Sequence, residues 1–262
     1  KVVVAKVPVP RKHEGLHNKV VVAKVPLRLY LWTHHKTGTV LSQHLADLLA
    51  RIVANRPQRT ETVRGDRACI PAGSVGIMQT LNMPTLRMIN SSCPHFRAVH
   101  WVRDPMSLVV SGYLYHRHST DVIPFLANAP GPVAFAGKSV KEGLRLEALA
   151  ELNSTLPDMV NTYQETKHDP RVLSLRLDDL SNDFNGTMQR LFSHLVGVSD
   201  RLGQFVEGAS VHDISRWPES KKGDHIAHAR DKANAQTSIN LLSTENDPVI
   251  SSVWQLSKKL GL

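Results

Sequence analysis

The sequence predicts an α/β fold, a parallel sheet flanked by helices on both faces, and three observations carry that expectation. Apolar strand-like runs alternate with amphipathic helical ones along most of the chain. The two most distinct strands each pass through a loop straight into a helix. Both loops fall where a parallel sheet gathers its ligands, beyond the carboxyl ends of the strands.

Residues 1–26 stand apart as an N-terminal extension. Within them the eight residues Lys1 to Pro8 recur as Lys19 to Pro26, two copies, too few for a solenoid. The remainder, 27–262, reads as a single domain. Leu27 to Thr33 is an apolar strand, His34 to Thr39 a loop, and Val40 to Asn55 a helix with Leu41, Leu45, Leu48 and Leu49 on one face. Two weaker strands are expected at Gly73 to Gln79 and Thr85 to Asn90. Arg97 to Val102 is a second strong strand. It ends in Arg103, Asp104 and Pro105, where Asp104 suits a helix N-cap and Pro105 the first helical position. The helix that follows should reach about His118. Val140 to Thr166 is amphipathic and helical, with a break expected at Pro157. Arg171 to Leu177 is a further strand, followed by a helix carrying Met188, Leu191, Phe192 and Leu195. Ser210 to Ala229 is polar and reads as a long loop, and Pro248 to Leu260 as a closing helix.

The composition narrows the function classes. The 262 residues are 41% apolar, enough for a packed core, and the net charge of +9 favours an anionic partner. Cys69 and Cys93 are the only cysteines, which excludes a disulfide scaffold and a cysteine zinc site. They are open to a single disulfide or to two buried thiols. No apolar run is long enough to cross a membrane. The chain opens at Lys1, so an anchor or targeting segment could precede it, and the compartment is left between the cytoplasm and the Golgi lumen. The triplets at Asn90, Asn153 and Asn185 fit glycosylation acceptors, a pattern that also arises by chance.

The loop after the first strand has the physics of an anion site. Gly38 allows close backbone approach, the free N–H groups and dipole of the following helix favour negative charge, and Lys36 adds a mobile cation. Thr37 and Thr39 add hydroxyl donors. The spacing is not that of a Walker A loop. Alone, such a run occurs in many turns. At the second strand's end, Arg103 offers a guanidinium fork, and Ser111 lies eight residues on, two turns into the helix. That pair suits a phosphate monoester. Alone, it reads equally well as a capped strand–helix turn.

Together, and in this order, the two elements resemble the sulfotransferase family. Its 5′-phosphosulfate loop follows the first strand as Lys-Ser/Thr-Gly-Thr, matched by Lys36, Thr37, Gly38 and Thr39. Its 3′-phosphate motif is a strand ending in Arg, then Asp or Asn and Pro, with Ser eight residues after the Arg. Arg103, Asp104, Pro105 and Ser111 match it. Arg176 to Leu180 is a softer match to the Tyr-Glu-Asp-Leu segment of soluble members, with Leu177 at the tyrosine. The resemblance spans about residues 27 to 180. Val40 and Leu41 replace a Thr-Trp pair. Lys221, Lys222 and Gly223 stand where soluble members carry an Arg-Lys-Gly segment over the 3′-phosphate, and read equally as a solvated charge run. Asn90 to Pro94 occupies a place similar to the family's Thr-His-x-Pro segment, without the histidine.

The resemblance implies a P-loop-like α/β domain and a co-substrate, 3′-phosphoadenosine 5′-phosphosulfate (PAPS), whose desulfated product is PAP. It implies sulfuryl transfer to a hydroxylated acceptor, with no metal required. Lys36 would act catalytically. The donor would be held by Lys36, Thr37, Gly38, Thr39, Val40, Arg103 and Ser111, with Lys222 and Gly223 as further contacts. A base must take the acceptor's proton. His95 is the first candidate because histidine titrates near neutrality. Glu61 and Asp66 are the carboxylate candidates, and His34 and His35 flank the lysine. The competing readings are a P-loop kinase, which lacks its Walker A lysine here, and a basic nucleic-acid-binding protein. The latter needs a basic stripe with interleaved aromatics, whereas aromatics are 5% of the chain and the basic residues are scattered. No nucleic-acid partner is expected. The acceptor's identity and the oligomeric state are not readable from the sequence.

Overall fold

A computed structural model describes residues 27–53, 61–63, 69–119, 130–198, 200–213, 216–217 and 229–262. The repeat at 1–26, Asp66, Lys221, Lys222 and Gly223 lie outside them.

Among the described residues, five parallel strands form one sheet in the order β2-β3-β1-β4-β5. They are β1 (Arg28–Thr33), β2 (Glu61–Val63), β3 (Val75–Gln79), β4 (Phe96–Val102) and β5 (Val172–Arg176). β1 and β4 lie at the centre and read as near-continuous apolar runs, as strands buried on both faces must. Their side chains alternate between two cores. Leu29, Leu31, Val99 and Trp101 face α1 (Thr39–Val53), α8 (Phe184–Val196) and α9 (Leu202–Ser210). Tyr30, Trp32, Phe96 and Ala98 pack on the other face with Leu86 and Ile89 of α2 (Met83–Ser92). The expected doubly covered parallel sheet is what the chain forms.

The remaining helices among the described residues are α3 (Pro105–His116), α4 (Pro132–Phe135), α5 (Val140–Leu152), α6 (Thr155–Thr166), α7 (Asp179–Asn182), α10 (Ala229–Thr244) and α11 (Pro248–Lys259). A third apolar cluster joins α3, α5, α6, α10 and α11, through Leu108, Leu144, Leu156, Ile239 and Val253 among others. Each such fully buried aliphatic side chain contributes about 1.5–3 kcal/mol of transfer free energy. α3 starts as the sequence predicts: the Asp104 carboxylate accepts from Ser107 N at 2.9 Å and Pro105 is the first helical residue.

Several expectations need correction. Residues 85–90 are helical, not extended, because Asn82 caps α2 by accepting from Thr85 N at 3.0 Å and Pro84 suits its first turn. Thr85, Leu86 and Ile89 then fall on one buried face. The break in 140–166 comes at Asn153 and Ser154, whereas Pro157 sits in the first turn of α6, where no backbone donor is required. α9 occupies residues just before the expected polar loop, and α10 follows it. Of that loop, 214–215 and 218–228 lie outside the described residues. Cys69 and Cys93 are joined in a disulfide, their Cα atoms 5.7 Å apart.

Candidate active site

The loop that leaves β1 turns tightly on its own hydroxyl. Thr37 Oγ1 donates to the His34 carbonyl at 3.0 Å and accepts from His34 N at 2.6 Å, while Thr37 N reaches the same carbonyl at 3.1 Å. That hydroxyl is wholly buried and committed to shaping the loop. Lys36 (φ 59°) and Gly38 (φ 91°) both take left-handed backbone. The second is an angle that only glycine adopts without cost. α1 begins at Thr39, so the unpaired N–H groups of its first turn open onto the loop. Thr39 Oγ1 lies 3.4 Å from Thr33 Oγ1, and Val40 is exposed at the mouth. The Lys36 ammonium rests 3.0 Å from the centre of the Tyr115 ring. A cation–π contact of this kind contributes about 0.5–2 kcal/mol.

The three segments singled out in the sequence meet here. Arg103 Nη1 donates to the Lys36 carbonyl at 3.0 Å, so the strand-end arginine is tied to the loop itself. Its Nε is buried without a hydrogen-bond partner, 3.8 Å from Asp178 Oδ1. Burial pulls the guanidinium's pKa down, opposed by the charges of Asp178 and Asp104. Asp104 N in turn donates to Asp178 Oδ2 at 3.4 Å, and Leu177 N to the Val102 carbonyl at 2.8 Å. A Cβ on Gly38 would lie 2.8 Å from Leu177 Cδ1, so Leu177 fills the space the glycine leaves. Ser111 lies about 9 Å along α3 from Pro105 and is half-buried.

The base candidates do not gather there. Arg28 N donates to the His95 carbonyl at 3.3 Å, which puts His95, exposed, at the amino ends of β1 and β4. The Lys36 loop is at their carboxyl ends, about 20 Å away along the strands. His95 is therefore not brought to the site, because a residue that precedes a strand lies at the sheet edge opposite the loops that follow it. Glu61 is in β2, level with Gly76 and through it Tyr30, mid-strand in β1 and three residues short of its carboxyl end at Thr33. Asn90 to Pro94 lies with His95 at the amino ends, since α2 ends where β4 begins. The segment at the carboxyl edge beside β1 is instead Thr80 to Pro84, after β3. Thr80 N donates to the Thr33 carbonyl at 2.9 Å, and that segment has the threonine and proline but no histidine.

The flanking histidines, by contrast, are central. His34 Nε2 lies 3.0 Å from His100 Nε2, both side chains wholly buried. Burial lowers the pKa of His34 to about 3 and, together with His34, lowers that of His100 well below the ordinary value. His35 Nε2 lies 3.2 Å from Nε2 of His116, the ring planes parallel within 5° and their centres 5.0 Å apart. His116, Glu147, Glu151 and Tyr115 were not found by sequence reasoning. A signal for the acids does exist: Glu147 and Glu151 fall one turn apart on the stripe that carries Leu144 and Ala148, the buried face of α5.

No protein-family model matches the chain, and no curated protein matches it by sequence. Solved structures do match. One of them is mouse sulfotransferase SULT7A1 complexed with PAP, 16% identical, with a TM-score of 0.50 over 89% of each chain. At that identity the likeness extends to the fold: the chain has a sulfotransferase-like α/β architecture.

Proposed function

We propose that this protein is a PAPS-dependent sulfotransferase that moves a sulfuryl group to a hydroxylated acceptor. The observation that carries the reading is the hydrogen bond from Arg103 to the Lys36 carbonyl, which joins two separate anion-binding elements into one site. The solved neighbour of the same architecture is complexed with PAP, which supports the choice of donor. A nucleotide with an anionic group on each side of its ribose suits two such elements better than a single phosphate does.

The residues present fit that donor. Lys36 and the first-turn N–H groups of α1, with Gly38 allowing close approach, would hold the 5′-phosphosulfate. Arg103, whose buried Nε has no hydrogen-bond partner, would hold the 3′-phosphate with Ser111. Lys36 would leave the Tyr115 ring to neutralise the bridging oxygen as the bond from sulfur breaks, an electrostatic role worth a few kcal/mol, about 3 per donor. Thr37 contributes by fixing the loop.

Calorimetry and thermal unfolding with PAP test the reading. Binding of native protein alone at a hundredfold excess over Kd adds about 2.7 kcal/mol of stability and raises Tm. Folded protein with no shift at millimolar PAP would overturn it.

A further inference from the structure

Behind the loop runs a buried chain of hydrogen bonds that donor binding does not use. His116 Nδ1 lies 2.9 and 3.0 Å from the two oxygens of Glu147. Its Nε2 faces Nε2 of His35 at 3.2 Å. Glu147 is wholly buried, and His35 and His116 are nearly so. A carboxylate only accepts, so His116 Nδ1 carries the proton between them. Neutral His116 then presents a bare Nε2, which accepts the Nε2 proton of His35. The lone pair of His35 is left on Nδ1. The chain ends, next to Lys36, in a nitrogen that can take a proton.

We propose that His35 is the group that takes the acceptor hydroxyl's proton, with His116 and Glu147 as the positioning residues behind it. This rests on the sulfotransferase reading. As the acceptor oxygen forms its bond to sulfur, the bond from sulfur to the bridging oxygen breaks and its electron pair leaves with PAP. The hydroxyl proton goes to His35 Nδ1, the Nε2 proton of His35 moves to His116 Nε2, and His116 becomes an imidazolium against Glu147.

The relay answers an objection that His35 alone would not survive. Burial, then Lys36 and His116, lowers the His35 pKa to about 2, so a cation held there is strongly disfavoured. Passing the charge to His116 removes it from Lys36 and sets it beside a carboxylate. The groups facing His35 are Lys36 on its own loop and Tyr115 and His116 on α3, with Glu147 and Glu151 behind them on α5. Burial, then the charge of Glu147, raises the Glu151 pKa well above the carboxylate range. Glu151 thus favours its protonated form, and Glu147 is the acid that faces His116. His34 does not compete, since it is wholly buried against His100.

The test pairs a structural readout with a kinetic one. Long-range proton–nitrogen NMR of the whole chain at pH 7, with and without PAP, is expected to show neutral His35 protonated on Nε2 and His116 protonated on Nδ1. PAP formation from PAPS is followed with water, primary alcohols, sugars and phenols as acceptors. His35→Gln is expected to lower kcat by about 10²- to 10⁴-fold with PAP affinity nearly unchanged. Glu147→Gln is expected to lower kcat without raising KM, and Glu147→Asp to restore part of it. His44→Gln, on the exposed face of α1, should leave turnover intact. Full turnover in His35→Gln, or a proton on His35 Nδ1 at pH 7, overturns the relay. Absence of PAP binding by the unaltered protein overturns the donor reading instead. If no acceptor turns over, the tautomers decide alone.

Discussion

Gly38→Ala isolates what the loop's geometry requires. The residue sits at φ 91°, and a Cβ there would stand 2.8 Å from Leu177 Cδ1. Left-handed backbone costs an alanine about 1–2 kcal/mol. The overlap adds roughly 1 kcal/mol, near the low end for an overpacked site, because a leucine methyl can move. The variant should therefore lose about 2–3 kcal/mol in urea unfolding. Leu177→Ala relieves the overlap and leaves the backbone cost, so the double variant should be more stable than the sum of the single losses by about 1 kcal/mol. PAP affinity, measured by calorimetry, should fall at least about tenfold in Gly38→Ala and stay low in the double variant, since on the proposed reading the displaced N–H groups would hold the nucleotide's 5′ end. Additive losses in the cycle would refute the contact. A neutral Gly38→Ala with full PAP affinity would refute the glycine's role.

Other outcomes follow from the same geometry. Arg103→Ala should weaken PAP binding by about 2–5 kcal/mol, whereas Lys36→Ala should reduce turnover far more than PAP affinity; the reverse pattern in titration and steady-state kinetics would exchange their roles. His34 and His35 have folded pKa values depressed to about 3 and about 2, so between there and 6.5 the unfolded chain binds protons that the folded one excludes. Stability is then lost as pH falls below 6.5, by about 2 kcal/mol per histidine at pH 5, and equal unfolding free energies at pH 7 and 5 would contradict it. Glu151 has the opposite sign: its folded pKa is raised above 4.5, so the folded chain holds a proton the unfolded one releases and stability falls as pH rises past that value. Glu151→Gln should therefore gain Tm over the parent at pH 7 to 8 and not at pH 4; a loss at pH 8 would sink the assignment.

The parts of the fold that were legible were those where one local signal suffices. β1 and β4 carry unbroken apolar runs, and Asp104 with Pro105 marks a helix start. Residues 85–90 misled because Thr85, Leu86 and Ile89 look like a strand until Asn82 and Pro84 are weighed as a cap. α10 was not read because its face is polar with few apolar anchors, of which Ala235, Ile239 and Leu242 are the buried ones. That the loop and Arg103 come together at one sheet edge could be read because each occupies a fixed place after a strand. His95 could not be placed from spacing: sequence distance from the arginine says nothing about which edge of the sheet a residue reaches. The strand register decides that, and it puts His95 level with the start of β1. His116 and Glu147 are 31 residues apart and meet only through the crossing of α3 and α5.

That crossing is expensive, and its cost bears on the site's purpose. A Cβ at Gly112 would stand 2.1 Å from Glu147 Oε1, and one at Gly143 would stand 2.4 Å from the Tyr113 ring. Each glycine inside a helix costs about 1 kcal/mol relative to alanine, and what the first admits is an acid with no access to water. An acid near an anion-binding loop also subtracts from the positive potential that the loop needs. Neither expense helps hold a dianion. Left-handed Lys36 and Thr80 and the buried Nε of Arg103 add strain and unmet bonding at the same edge. Departures from local rules on this scale gather where chemistry, not packing, selects the residues. A loop that only bound phosphate would be served by Lys36, Gly38 and Arg103. The two histidines and two acids behind it are what the proposed relay would use to move a proton there.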